Sequence, residues 1–194
     1  MEIIIHRVNK LEELIKLPKE YGTEIDLRTK GSKIILNHEP FKDGCNFIDY
    51  IENYNHGTLV LNIKEAGIED EVIKIVKNKK INSYFLLDVE MPYLHSSSNS
   101  GNRNIAIRFS EYESIKTVEF FTKLVSWIWI DTVNELPIKK EHIKLISNFK
   151  SCLVCPERWG RKNDIKVYKK KLEEMKYKPN AVMTSQECVE LWKS

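Results

Sequence analysis

Glu24 and Asp26 stand two apart within the run YGTEIDLRTKGSKIILNHEP, and His38 returns after a short turn. The surrounding Ile25, Leu27, Ile34, Ile35 and Leu36 read as core, so solubility does not explain the two acids. Side chains two apart on a strand share a face, which makes Glu24 and Asp26 one pair and Asn62 and Lys64 another. Two carboxylates and an amide oxygen suit a hard cation such as Mg²⁺ or Ca²⁺. Arg7 and Lys64 can neutralise an anionic oxygen, and His6 and His38 can move protons. A metal, fixed cations and paired imidazoles together describe cleavage of a phosphodiester.

Each piece also has a plainer reading. An E-x-D pair can be held by a neighbouring lysine, and a lone histidine at a strand end is more often structural. The plainer reading is the one taken for His56, His95 and His142. Asp88, Glu90 and Arg108 end later apolar runs, and Glu157 and Trp159 lie beyond the run SCLVCPE. These five are candidate substrate contacts. Trp127 and Trp129 are expected to fill the core or line the mouth of the fold.

Positioning these residues falls to short apolar runs separated by amphipathic stretches. Runs such as IIIH, TEIDLR, TLVLNIK, SYFLLDVE, NIAIRFS, SWIWID, SCLVCPE and AVMTS read as strands. Helical spacing predicts helices over 68–80, 113–125, 139–149 and 164–175, with a last one capped by T-S-Q-E at 184–187. RTKGSK is too short for a helical crossover, which needs about a dozen residues. The run KIILNH must therefore fold back antiparallel. Without it, eight strands alternate with helices. The expected fold class is α/β, a compact (β/α)₈ TIM barrel with a β-hairpin strand inserted after the second barrel strand. Active residues then belong at the C-terminal ends of the strands. A doubly wound open sheet is the runner-up, but no glycine-rich loop follows the first strand. The polar stretch HSSSNSGNRN at 95–104 is expected to be a mobile loop over the rim.

The chain's 194 residues suit a single domain spanning 1–194. A net charge of +3, without basic runs interleaved with aromatics, argues against nucleic acid. There is no signal-peptide pattern and no apolar stretch of membrane-spanning length. Cys152 and Cys155 form C-x-x-C inside a strand-like run, where they point to opposite faces, and no second such pair completes a zinc site. Free thiols in a reducing cytoplasm are expected. The expected partner is a small soluble phosphodiester, with neither nucleic acid nor a transmembrane segment. Oligomeric state is not encoded in any pattern found.

The order of these motifs resembles that of the glycerophosphodiester phosphodiesterases, within the wider phosphatidylinositol-phospholipase-C-like superfamily that includes the spider sphingomyelinases D. His6-Arg7-Val8 stands where that family has H-R-G, and Gly22-Thr23-Glu24-Ile25-Asp26 matches G-x-E-x-D. His38-Glu39-Pro40 matches H-D-P, Asn62-Ile63-Lys64 matches E-x-K, and the last strand runs into Thr184-Ser185. The match covers residues 3 to 67 and is mainly topological beyond. The resemblance implies a metal-dependent phosphodiesterase: His6 and His38 as acid and base, Glu24 and Asp26 at the metal, Arg7 and Lys64 on phosphate. Asn62, whose amide oxygen can ligate a hard cation, is the third metal candidate. Val8 departs from the family glycine, and Asn62 from its third carboxylate. The H-x-V-N of His6 to Asn9 is closer to the sphingomyelinase branch. The alternative from another class is a non-catalytic barrel that binds a phosphorylated ligand.

Overall fold

A computed structural model describes residues 1–193 of the chain. It divides into two compact units, residues 4–96 and residues 1–3 with 97–194.

The 4–96 unit is built on parallel strands in the order β1, β2, β5, β6. Strand β1 is Glu2–Ile5, β2 is Gly22–Lys30, β5 is Leu59–Ile63 and β6 is Tyr84–Leu87. Between them in sequence, β3 (Lys33–Leu36) adds antiparallel to β2, and β4 (Cys45–Asn46) antiparallel to β3. The return of KIILNH as a hairpin strand is thus as expected. Helices α1 (Leu11–Lys16), α2 (Phe47–Glu52) and α3 (Glu69–Asn78) make the connections. α2 starts where Asn46 accepts hydrogen bonds from the amides of Ile48 and Asp49, the arrangement an N-cap amide favours. Acidic residues Glu69, Asp70 and Glu71 fill the first turn of α3, complementing the helix dipole.

The apolar faces of these strands are fully buried. Ile4, Ile25, Leu27, Leu59, Leu61, Phe85 and Leu86 have no exposed surface, nor have Phe47 and Tyr50 of α2. Gly22 has a specific reason to be glycine: a Cβ there would stand 2.4 Å from the Thr58 carbonyl oxygen. That oxygen accepts from the Thr23 amide at 3.0 Å, so the close approach begins the β2–β5 pairing. The register that follows sets Asp26 opposite Asn62.

Helix α4 (Met91–Asn99) takes residues 95–99 of the stretch expected as a loop over 95–104, which corrects that half, while 100–104 is neither helix nor strand. The Leu94 amide bonds the Glu90 carbonyl, Leu94 and Ser98 are buried, and Asn102 donates to Ser97 Oγ. Pro92 near the helix start costs nothing there, since the first amides of a helix have no partner to lose. Low apolar content misled the reading, because one buried face needs few large residues.

In the other unit, parallel strands β7 (Ala106–Phe109), β8 (Trp127–Ile130), β9 (Lys150–Val154) and β10 (Ala181–Thr184) pair in sequence order. Trp127 and Trp129 are buried core. Helices α5 (Ile115–Phe120), α6 (Ile143–Ile146) and α7 (Asp164–Glu174) follow the predicted windows but are shorter in the first two cases. The expected capping box at 184–187 does not form. Thr184 Oγ1 instead donates to Glu157, Ser185 makes no side-chain cap, and a 3₁₀ turn precedes α8 (Val189–Lys193). Cys45, Cys152, Cys155 and Cys188 are free thiols, and burial pushes the Cys155 thiol far up.

Candidate active site

At the C-terminal ends of β1, β2, β5 and β6, seven of the candidate residues converge: His6, Arg7, Glu24, Asp26, Asn62, Lys64 and Asp88. Glu24 and Asp26 are buried, with 1% and 0% of their surface exposed, and both lie on one face of β2. Two buried acids so close need partners, since an uncompensated charge in the interior is costly. Glu24 Oε1 accepts from Asn62 Nδ2 at 2.8 Å, and Glu24 Oε2 accepts from the Arg7 backbone amide at 2.9 Å. Arg7 can present that amide because it follows β1 in a left-handed conformation, φ 54°. This is uncommon for a side chain of its size. His6 Nε2 lies 4.0 Å from Glu24 Oε2.

Asp26 is held differently. Its Oδ2 accepts from Asn9 Nδ2 at 2.8 Å, while Asn9 Oδ1 accepts from the Asp26 amide at 2.9 Å. Arg7 Nε stands 3.9 Å from the same Oδ2, and Lys64 Nζ 3.6 Å from Oδ1. Lys64 Nζ also reaches Asp88 Oδ2 at 3.3 Å. Burial, and then the neighbouring Asp26 charge, push the Glu24 carboxyl up to about 7, against relief from Asn62, the Arg7 amide and Lys64.

Two oxygens in this cluster bear on a cation. Asp26 Oδ1 and Asn62 Oδ1 are buried and have no hydrogen-bond partner. Both sit on residues paired directly across β2 and β5. Hard oxygen donors of this kind fit Mg²⁺ or Ca²⁺. Among the described residues no group of three or more His, Cys, Asp and Glu gathers as a metal cluster.

His38 stands apart from the carboxylates. It follows β3, is partly exposed, and its Nδ1 lies 2.6 Å from Glu39 Oε1. The Glu39 carboxyl is held below its usual range by that imidazole. Arg28 ties the two halves together, donating from Nε to the His38 carbonyl and from Nη1 to the Lys64 carbonyl. A cleft of about 410 Å³ opens beside Arg7 and His38, lined also by Asn9, Lys10, Glu13 and Asn37.

Two solved structures match nearly the whole chain. One is a protein of Agrobacterium tumefaciens str. C58, provisionally named a glycerophosphoryl diester phosphodiesterase: 9% identical, TM-score 0.66, over 94% of this chain and 92% of that one. The other is a glycerophosphoryl diester phosphodiesterase of Parabacteroides distasonis ATCC 8503: 12% identical, TM-score 0.66, over 99% of this chain and 85% of that one. The chain has the fold of the glycerophosphoryl diester phosphodiesterases. It is the α/β fold expected, a (β/α)₈ barrel with the β2–β3 hairpin inserted. No family model matches the chain, and no curated protein does.

The remaining candidates take other places. Glu90 is exposed and its carbonyl accepts the first bond of α4. In the 97–194 unit, Arg108 Nη2 donates to the buried Asp131 at 2.7 Å and Arg108 Nε reaches Glu113 at 3.4 Å. Trp159 Nε1 donates to Asp131 at 3.1 Å, with Arg158 over its ring and 40% of its surface exposed. Glu157 accepts from Thr184 Oγ1 and from the Ser185 amide. His56 bonds the Leu17 carbonyl and His142 packs edge-on against Phe109.

Sequence reasoning missed Asn9, Arg28 and Asp131. Asn9 had a signal in H-x-V-N, since an amide at a fixed step after the first strand can reach the next one. Arg28 and Asp131 had none, because their partners are backbone carbonyls or residues distant in sequence.

Proposed function

We propose that the chain is a metal-dependent phosphodiesterase acting on a small, soluble, glycerophosphodiester-like or sugar-linked diester. The observation that carries this reading is the joint burial of Glu24 and Asp26 with two buried oxygens that lack a hydrogen bond, at the strand ends of this fold. Glu24, Asp26 and Asn62 would hold one Mg²⁺ or Ca²⁺, which supplies charge to a phosphoryl oxygen.

The chain's own residues do the rest. Arg7 and Lys64 are the cations nearest the carboxylates and would hold the non-bridging oxygens of the phosphate. Of His6 and His38, one takes the proton of the attacking hydroxyl and the other returns a proton to the departing alcohol oxygen. The attacker is water or a hydroxyl on the substrate; in the second case the phosphate leaves as a cyclic diester. Glu39, against His38 Nδ1, orients that ring so that Nε2 faces away from it. The polar cleft beside Arg7 and His38 has the size and lining for a small polar alcohol group. Free thiols on all four cysteines fit a reducing compartment such as the cytoplasm, and no helix among the described residues is long and apolar enough to cross a membrane.

The test is turnover of bis-p-nitrophenyl phosphate and of glycerophosphodiesters, with EDTA and then with added Mg²⁺, Ca²⁺ or Mn²⁺. Turnover lost in EDTA and restored by one metal is expected. Binding of inorganic phosphate without any turnover would favour a non-catalytic barrel.

A further inference from the structure

Asp88 follows β6 in a left-handed conformation, φ 57°, and its carboxylate takes the Lys64 ammonium at 3.3 Å. The same ammonium is 3.6 Å from Asp26 Oδ1, a buried oxygen with no hydrogen-bond partner. Left to itself, an ammonium beside a fully buried carboxylate with an unmet acceptor would move onto it, because both groups are short of partners there. Asp88 is the half-exposed competitor at the outer side.

We propose that Asp88 is a positioning residue: it draws the Lys64 ammonium off Asp26, so that Asp26 Oδ1 stays open to a cation and Lys64 faces the phosphate. The cation and phosphate parts rest on the function proposed above, whereas the position of Lys64 does not. The left-handed backbone belongs to the device. It turns the chain at the end of β6 and brings the Asp88 carboxylate back over Lys64, which extends from the end of the neighbouring β5. An aspartate tolerates that conformation better than most side chains.

The variants are D88N, K64M and the double change, with D88G as a second form that fits the same φ without strain. Crystals of the wild type and of D88N grown in EDTA should differ at one place. In D88N the Lys64 ammonium should lie within hydrogen-bonding distance of Asp26 Oδ1. An ammonium that stays where it is in the wild type overturns the proposal. Calorimetric titration of Mg²⁺ supplies the second reading. D88N should weaken Mg²⁺ binding about tenfold in the wild-type background and have much less effect when K64M has removed the ammonium. An equal loss in both backgrounds would mean that Asp88 acts on the cation directly, and would overturn it too. A wild type that binds no Mg²⁺ disposes of the metal assignment alone, and the crystallographic comparison still decides the role of Asp88.

Discussion

Asn62 Nδ2 donates to Glu24 Oε1 across 2.8 Å, linking the third donor of the candidate cation set to the first. The amide thereby stabilises the ionised form of a carboxylate that burial and Asp26 disfavour. Its own oxygen, Oδ1, stays without a partner. One residue thus lowers the cost of the buried acid and leaves its own carbonyl oxygen without a hydrogen bond.

Asn62→Asp should therefore act in opposite directions with and without metal. Without metal it replaces a hydrogen bond by carboxylate against carboxylate, and should destabilise the fold by roughly 1–3 kcal/mol. With metal it adds a charged ligand and should tighten Mg²⁺ binding. Urea unfolding in EDTA and calorimetric titration of Mg²⁺ read the two effects. Identical metal affinities would take Asn62 out of the cation's reach.

Glu24 gives a pH dependence of known sign. Its folded carboxyl titrates at about 7 against 4.5 for the ordinary group, so the folded chain holds a proton that the unfolded chain releases. Stability should then fall as pH rises from 4.5 through 7 and level off above, because the unfolded state binds fewer protons in that window. Glu24→Gln should remove this contribution and raise the melting temperature at pH 8 in EDTA, while abolishing turnover. A Glu24→Gln protein with the wild-type pH–stability curve would contradict the assignment.

His6→Ala and His38→Ala should each lower kcat by about 10²-fold or more on natural diesters. The variant lacking the acid should recover in part on a nitrophenyl diester, whose leaving group needs no proton. Equal losses on both substrates for both variants would remove proton donation to the leaving group from the mechanism.

Gly22→Ala tests how the paired acids are held in place. Its Cβ would meet the Thr58 carbonyl at 2.4 Å, so β2 must shift against β5. A loss of roughly 1–3 kcal/mol is expected, as for overpacking elsewhere. Turnover should fall further than stability, because the shift carries Glu24 and Asp26 with it. Circular-dichroism melts beside kinetics at a temperature where the variant is folded separate the two.

Alternation of apolar runs with amphipathic stretches was enough to read the parallel strands, and the short turn RTKGSK was enough to read the hairpin. These are local properties: side-chain period and loop length act within a few residues. Side-chain period also placed Glu24 with Asp26 on one face of β2. Which groups meet those acids was decided across strands. Register set Asn62 against Asp26, the left-handed turn at Arg7 aimed an amide at Glu24, and the one at Asp88 brought a second carboxylate to Lys64. The helix over 91–99 escaped the reading because its buried contacts come from Leu94 and Ser98, too few apolar residues to mark a period. Types and spacing along the chain thus determined which chemistry was available and on which strand ends it sat. Charge compensation, backbone turns and hydrogen-bond partners came only from the tertiary structure, because a buried group's energy depends on neighbours that sequence distance does not reveal.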